Sequence, residues 1–354
     1  MNILFSISHP AHVHFFRHAI SILRSQRHKV VVAARDKDIT LDLLDNYEIK
    51  HEVLTKKKSG IPGVISEFFV YQYLLSKILR ANKIDLVLSI GAALNAHICY
   101  ILGIPCFQFC DTETQWRQNN LTYPFVTKLF TPSCYNGDIG SKHIRYEGYH
   151  ELAYLHPNRF QPDSAVLEHI KVDSGEKYVI MRFVSWQATH DVGHSGLSLK
   201  IKREAVREFS KYAKVFITSE ATLPDDLEQY KITIPPERIH DALYFATLFY
   251  GESATMASES SVLGTPSIFL DNEGRGYTDE QEKKYGLVFN FSESINDQKK
   301  SIEKGVELLN NKPLDEIWRE RQKKMISDKI DVTQYLINIV ESFVENDDKN
   351  FFSY

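Results

Sequence analysis

The sequence predicts an α/β protein of two doubly wound, Rossmann-like domains facing a cleft, followed by C-terminal helices. Three observations carry that prediction. Short, almost wholly apolar runs such as Asn2–Ser8 and Asp85–Ile90 read as strands of a parallel sheet, buried on both faces. Helical stretches separate them, which is the alternation of a doubly wound domain. The alternation starts again near Lys177, after a polar stretch (Tyr149 to Glu176) that carries Pro157 and Pro162 and no convincing strand. The boundaries expected from this are 1–160, 161–312 and, for the helices and charged tail, 313–354.

In order, Asn2–Ser8 is the first strand, and His9-Pro10-Ala11 turns the chain into a helix over His12–Arg24 with Val13, Phe16, Ile20 and Leu23 on one face. Lys29–Ala34 is the second strand, Lys37–Asn46 a helix, and a third strand lies near His51–Leu54. Asp85–Ile90 is the fourth, ended by Gly91 and followed by a helix to Leu102. Gly103-Ile104-Pro105 leads into the fifth, Cys106–Cys110. In the second half, Tyr178–Arg182 and Val215–Thr218 are strands, and Ser198–Tyr212 and His240–Ala246 are helices. Beyond Lys312 the pattern is helical, with Ile317, Met325, Leu336, Val340 and Phe343 among its apolar positions.

The stretch Leu248–Glu273 reads as strand, polar turn, helix, strand. Gly251 ends the apolar run Leu248–Tyr250, Ser253 or Thr255 caps the helix, and Gly264-Thr265-Pro266 stops it before Ser267–Leu270. Such a turn aims free amides and the positive end of a helix dipole at whatever lies above the sheet, and a pyrophosphate is the usual guest. Glu259 lies six residues beyond Ser253, roughly 9 Å along a helix at about 1.5 Å per residue. That spacing suits a ribose diol; the alternative is a glutamate that is solvated or paired with Arg275.

Composition excludes several classes. Of 354 residues, 43% are hydrophobic and 12% aromatic, enough for real cores. A net charge of −4 with Lys and Arg spread along the chain argues against nucleic acid as a partner. Cys99, Cys106, Cys110 and Cys134 lack Cys-x-x-Cys spacing and read as free thiols in a reducing compartment. With no signal peptide and no run of ~20 apolar residues, a soluble cytoplasmic protein is expected.

Candidate chemistry collects at the predicted carboxyl ends of strands. These positions are His9, His12 and His14; Ser89 and Gly91; Asp111 and Glu113; Arg182, Ser185, Trp186 and His190; Glu220; and residues 251–259. His12, in the first helical turn, suits a hydrogen-bonding or general-base imidazole better than a metal ligand, because no carboxylate lies nearby in sequence. Asp111 and Glu113 would share a face of an extended strand. His190-Asp191 could be a base with its orienting carboxylate or part of a polar surface loop. Arg275 could meet a phosphate or be solvated, and Thr278-Asp279-Glu280-Gln281 matches a capping box. Residues 56–83 set aromatics between Lys56-Lys57-Lys58 and Lys77, Arg80 and Lys83; they could rest on an anionic membrane surface or form a helix packed on the sheet.

With these residues assembled, the chain resembles the GT-B superfamily, the two-Rossmann-domain glycosyltransferases and the non-hydrolysing UDP-N-acetylglucosamine 2-epimerases. More narrowly it resembles the family catalogued as domain of unknown function 354. The motifs are SHPAHVHFF, LGIPCFQFCDTE, QNNLTYPFVTKLFTPSCY, RFVSWQATHD and HDALYFATLFYGESATMASESSVLGTPSI, which run through nearly the whole chain. The resemblance implies a nucleotide sugar, UDP-linked, as substrate. Its pyrophosphate would lie on the backbone of Ser253, Ala254 and Thr255, its ribose on Glu259 and its uracil against the backbone of Ile239, with Arg182 near the leaving group and His12, Asp111 and Glu113 catalytic. It implies no metal and no cofactor, a glycan or lipid-linked acceptor, and a place in surface-polysaccharide assembly. The chain departs from the pattern in two places. Ser253-Ala254 replace paired glycines, and Ser89-Ile90-Gly91 and CDTETQW stand where the epimerases carry an aspartate and a Val-Glu-Ala-Gly-Leu-Arg segment. A missing carboxylate tilts the expectation from epimerisation towards sugar transfer. A nucleotide-binding protein without catalysis is the third alternative.

Overall fold

The first sheet is built on β1 (Asn2–Ile7), whose residues from Ile3 onward are buried because both its faces are covered. The computed structural model describes residues 1–91, 93–113, 120–184, 196–219, 222–310 and 314–345. Besides β1 the sheet holds β2 (Lys29–Asp36), β3 (Glu52–Lys56), β4 (Leu86–Ile90), β5 (Cys106–Phe109), β6 (Lys128–Pro132) and β7 (His143–Tyr146). Every pairing is parallel, in the order β3-β2-β1-β4-β5-β6-β7. The order reverses between β1 and β4, so the loops leaving these strands part at their carboxyl ends.

Four helices join the first five strands: α1 (Pro10–Ser25), α2 (Thr40–Asn46), α3 (Ile61–Ala81) and α4 (Ala96–Leu102). α1 starts where it does because extended His9 accepts the Ala11 amide on its Nδ1 at 3.2 Å, and Pro10 needs no amide partner in the first turn. On the α1 face aromatic rings fill the core, with Phe5 against Phe16 at 5.0 Å and Phe109 stacked on Phe130 at 5.1 Å. On the other face Leu4, Val87, Cys106 and Leu129 pack with Tyr71, Leu75 and Leu79 of α3. Each such side chain contributes roughly 1.5–3 kcal/mol by leaving water. Cys99, Cys106 and Cys110 are buried and Cys134 is half-buried, and none of the four is in a disulfide.

The stretch after β7 contains no strand, as expected, but opens with a buried 3-10 turn, His150–Ala153, and holds one short helix, α5 (Val166–His169). The second sheet then runs β8 (Tyr178–Phe183), β9 (Lys214–Ser219), β10 (Leu248–Gly251), β11 (Ser267–Leu270) and β12 (Val288–Phe291). It too is wholly parallel, ordered β12-β11-β10-β8-β9, with its reversal between β8 and β10. Around it lie α6 (Leu199–Phe209), α7 (Asp225–Glu228), α8 (Ile239–Phe245), α9 (Ala254–Val262), α10 (Gly276–Glu280), α11 (Ile295–Asn310) and α12 (Leu314–Asp328). Tyr250 packs edge-on against Phe209 at 5.1 Å and shares a hydrogen bond with Ser301 at 2.9 Å, tying β10 to α6 and α11.

Gly251 closes β10 where its backbone lies close against that of β8. A Cβ there would sit 2.3 Å from the Arg182 carbonyl oxygen on β8. Gly251→Ala therefore forces two central strands apart, and we expect a loss of about 3 kcal/mol, the upper range for overpacking. Chemical denaturation of the purified variant measures it; unchanged stability would place the strands farther apart than described.

Three expectations give way. Strands β6, β7 and β12 were not anticipated. The segment 313–354 is not one block: the chain divides into Met1–Arg159 joined by the residues from Ile330 onward, and Phe160–Lys329. α12 belongs to the second unit, where Arg319 donates to the Leu263 and Tyr244 carbonyls and Gln322 to that of Val262. α13 (Val332–Glu345) belongs to the first, with Thr333 bonded to Ala153 at 2.6 Å and Phe343 against Phe107. The capping box is also absent: the N-cap of α10 is Arg275, three residues before Thr278, and the buried Thr278 hydroxyl donates back to the Arg275 carbonyl. Among the described residues, no helix is long and apolar enough to cross a membrane.

Candidate functional site

In the second unit the turn after β10 has the geometry read from its sequence. Ser253, not Thr255, is the N-cap of α9, and its hydroxyl accepts the Met256 amide at 3.3 Å. The amides of Ala254 and Thr255 belong to the first turn, where no intrahelical carbonyl reaches them; both residues are half-exposed. The helix ends at Gly264, whose φ of +83° turns the chain towards β11. Arg182 closes the turn from β8: its carbonyl accepts the Glu252 amide at 3.1 Å and its guanidinium donates to Thr218 at 3.0 Å.

Glu252 was passed over in the sequence and proves central to this turn. Its buried carboxylate accepts the amides of Val184 at 3.0 Å and Leu197 at 2.5 Å, and Lys202 lies 3.2 Å away. One side chain thus fixes both ends of the segment between β8 and α6. A glutamate beside glycine and serine offered no signal beyond ordinary turn polarity.

Glu259 corrects its alternative reading. It is neither solvated nor paired with Arg275, which binds Asp271 at 3.4 Å. It is 5% exposed, and its Oε1 lies 2.9 Å from Nε2 of His240, itself 1% exposed. Ile239 opens α8 immediately before His240, the residue that Glu259 contacts.

In the first unit, His12, Asp111 and a residue the sequence reading left unassigned, His150, come together. Asp111 Oδ2 lies 3.1 Å from His150 Nδ1, and its Oδ1 accepts the Thr112 hydroxyl at 2.9 Å. Burial alone would raise this carboxyl; the charge and hydrogen bond of His150, with Thr112, outweigh it and hold the pKa at about 2. With Nδ1–H directed at Asp111, a neutral His150 keeps its lone pair on Nε2, an atom that is buried and has no hydrogen-bond partner. The Phe15 ring packs on His150 at 4.7 Å.

His12 is held by the backbone of the preceding turn. Its Nδ1 accepts the Ser8 amide at 3.3 Å, which places the proton of the neutral ring on Nε2. Burial first, then His9, Lys37 and His150, keep it well below its ordinary value against the pull of Asp111. His14 points elsewhere, buried against Tyr47 and Tyr154. Strand β5 ends at Phe109, so Asp111 and Glu113 do not follow strand alternation; Glu113 accepts the Asn136 amide at 3.1 Å instead. Ser185, Trp186, His190, Asp191 and Glu220 lie outside the described residues. Among the described residues, no three His, Cys, Asp or Glu side chains are grouped to hold a metal ion.

These histidines set a pH response. His18, lowered to about 4 by burial and by Arg17 and Arg159, behaves like His12. Below pH ~6.5 the unfolded chain takes up protons that the folded chain refuses until a lower pH, so stability falls as pH falls. We expect the melting temperature to drop between pH 6.5 and 4, and His18→Gln to flatten part of that slope. A flat profile in the parent protein would contradict the burial.

The family described as "Protein of unknown function (DUF354)" matches residues 1–343. The chain belongs to it. Comparison with curated proteins finds no match. Among solved structures, this DUF354 chain is similar to the S. aureus MnaA–UDP co-structure, with TM-score 0.69, 10% identity, and 98% of this chain and 97% of that one covered. It is similar to UDP-GlcNAc 2-epimerase from Neisseria meningitidis bound to UDP-GlcNAc, with TM-score 0.63, 15% identity and coverage of 98% and 100%. It is also similar to the spinosyn rhamnosyltransferase SpnG complexed with spinosyn aglycone, with TM-score 0.60, 11% identity and coverage of 96% and 100%. At these identities the likeness is one of fold: the GT-B pair of Rossmann-like domains with C-terminal helices, shared by transferases and epimerases alike.

Proposed function

We propose that the protein is a nucleotide-sugar-dependent glycosyltransferase acting on a UDP-sugar without a bound metal, in the assembly of a surface polysaccharide or other glycoconjugate. The observation that carries this is the second-unit turn: a Ser253-capped helix start at the sheet's reversal point, with Glu259 of the same helix bonded to His240 of α8. In this reading the Ala254 and Thr255 amides bind the diphosphate and Arg182 neutralises charge as it develops. Glu259 takes the ribose and the Ile239 backbone meets the base. The bond from the sugar C1 to the diphosphate oxygen breaks, its electrons leaving with UDP. An acceptor hydroxyl bonds to C1 and gives its proton to a general base; we assign that role to Nε2 of His150, oriented by Asp111 and uncovered as the acceptor binds, with His12 donating a hydrogen bond from its own Nε2.

The epimerase reading needs Asp111 and Glu113 as an acid and base pair. In the epimerase pattern a further carboxylate follows the fourth strand, where this chain has Ser89-Ile90-Gly91, and its absence favours transfer. Incubation with a UDP-sugar in deuterated water, with and without glycan or lipid-linked acceptors, tests the proposal. UDP release that requires acceptor supports it. Deuterium at C2 without acceptor assigns epimerisation, and binding without turnover assigns a non-catalytic role.

A further inference from the structure

Helix α3 is apolar on two sides. Tyr71, Leu75, Ile78 and Leu79 are buried in the sheet, which is the packing a helix of this kind needs. A second stripe at three- and four-residue spacing is left outside: Ile61, Val64, Ile65, Phe69 and Tyr73, with Ile61 73%, Phe69 65% and Tyr73 59% exposed. Ring contacts extend it. Phe69 meets Phe68, Phe68 meets His97 of α4, His97 meets Phe125 and Phe125 meets Tyr100, which is exposed beside Ile101. A contiguous apolar face of this kind marks an interaction surface.

Its rim has one sign of charge. Lys56, Lys57, Lys58, Lys77, Arg80 and Lys83 are all exposed. Across the same stretch the one acidic side chain is Glu67, buried and held by Arg35 at 2.5 and 2.8 Å; among the described residues, the one ion pair made by these six cations is Lys56 with Asp36 at 3.3 Å. We infer that this face rests on the anionic surface of a lipid bilayer, Phe69 and Tyr73 entering at headgroup level and the basic rim meeting lipid phosphates. A second copy of the chain fits poorly, because a two-fold contact would set one basic rim against another. α3 begins just after β3, at the same carboxyl edge of the sheet that carries His12 and Asp111.

Vesicle sedimentation without nucleotide tests this independently of the proposed activity. The full chain should pellet with vesicles of phosphatidylcholine and phosphatidylglycerol in equal parts, and stay in solution with phosphatidylcholine alone. Phe69→Ser with Tyr73→Ser should lower partitioning at least tenfold. Lys56→Gln, Lys57→Gln and Lys58→Gln together should lower it on the order of 100-fold. Both sets lie on exposed positions, so melting temperatures should not move. Equal binding to both vesicle types, or variants that bind like the parent, would overturn the inference. So would a dimer seen by light scattering that the Phe69 and Tyr73 changes dissolve, with no vesicle binding.

Discussion

Exchanging His150 for glutamine should lower kcat about a thousandfold while leaving UDP affinity within twofold. The size follows from general-base catalysis, worth roughly 10²–10⁴ in rate. The direction follows from the tautomer: the proton on Nδ1 is engaged by Asp111, so Nε2 is the atom able to accept another. Glutamine can still donate to Asp111 and preserve the packing under Phe15, but it cannot take up a proton. Asp111→Asn should cost nearly as much, because the amide no longer selects the tautomer that leaves Nε2 free. A His150→Gln enzyme within threefold of the parent would make this pair structural.

Glu259→Ala should damage two properties at once. Nucleotide affinity should fall at least tenfold, as a carboxylate is lost from the ribose position. Stability should fall by about 2–3 kcal/mol, because the buried bond between Glu259 and His240 is lost. That corresponds to a drop of about 5 °C or more for a unit of this size. Glu259→Gln separates the effects: it can still bond His240 and should recover most of the melting temperature, but not the affinity. Calorimetric titration with UDP beside thermal melts gives both numbers. Parent-like affinity in both variants would remove Glu259 from the nucleotide site and leave it a core residue.

The residues that spoke in the sequence did so for local reasons. Runs such as NILFSI and DLVLSI are legible because parallel strands covered on both faces must be continuously apolar. The Ser253 cap and the Gly264 stop are read from single residues whose chemistry acts within one turn. β7 (HIRY) is too polar for that signal and β6 carries a buried lysine, Lys128, whereas β12 (VFNF) is as short and as apolar as β10 and β11 and carries the same signal. The capping box failed because a hydroxyl three residues after a carbonyl can bond backward as readily as forward. His150 was hidden in a polar stretch read as a link, and its partner Asp111 lies far away in sequence. Glu259 and His240 were both in view, but only folding could show that each satisfies the other. α3 was offered as either a sheet-packing helix or a surface-binding one; it buries one apolar side and exposes another, which periodicity alone did not separate.

The most direct measurement is a crystal structure of the protein grown with UDP. The account predicts diphosphate oxygens within hydrogen-bond reach of the Ala254 and Thr255 amides and the ribose hydroxyls on Glu259. Nucleotide density away from residues 251–259, with that helix start left to solvent, would contradict it.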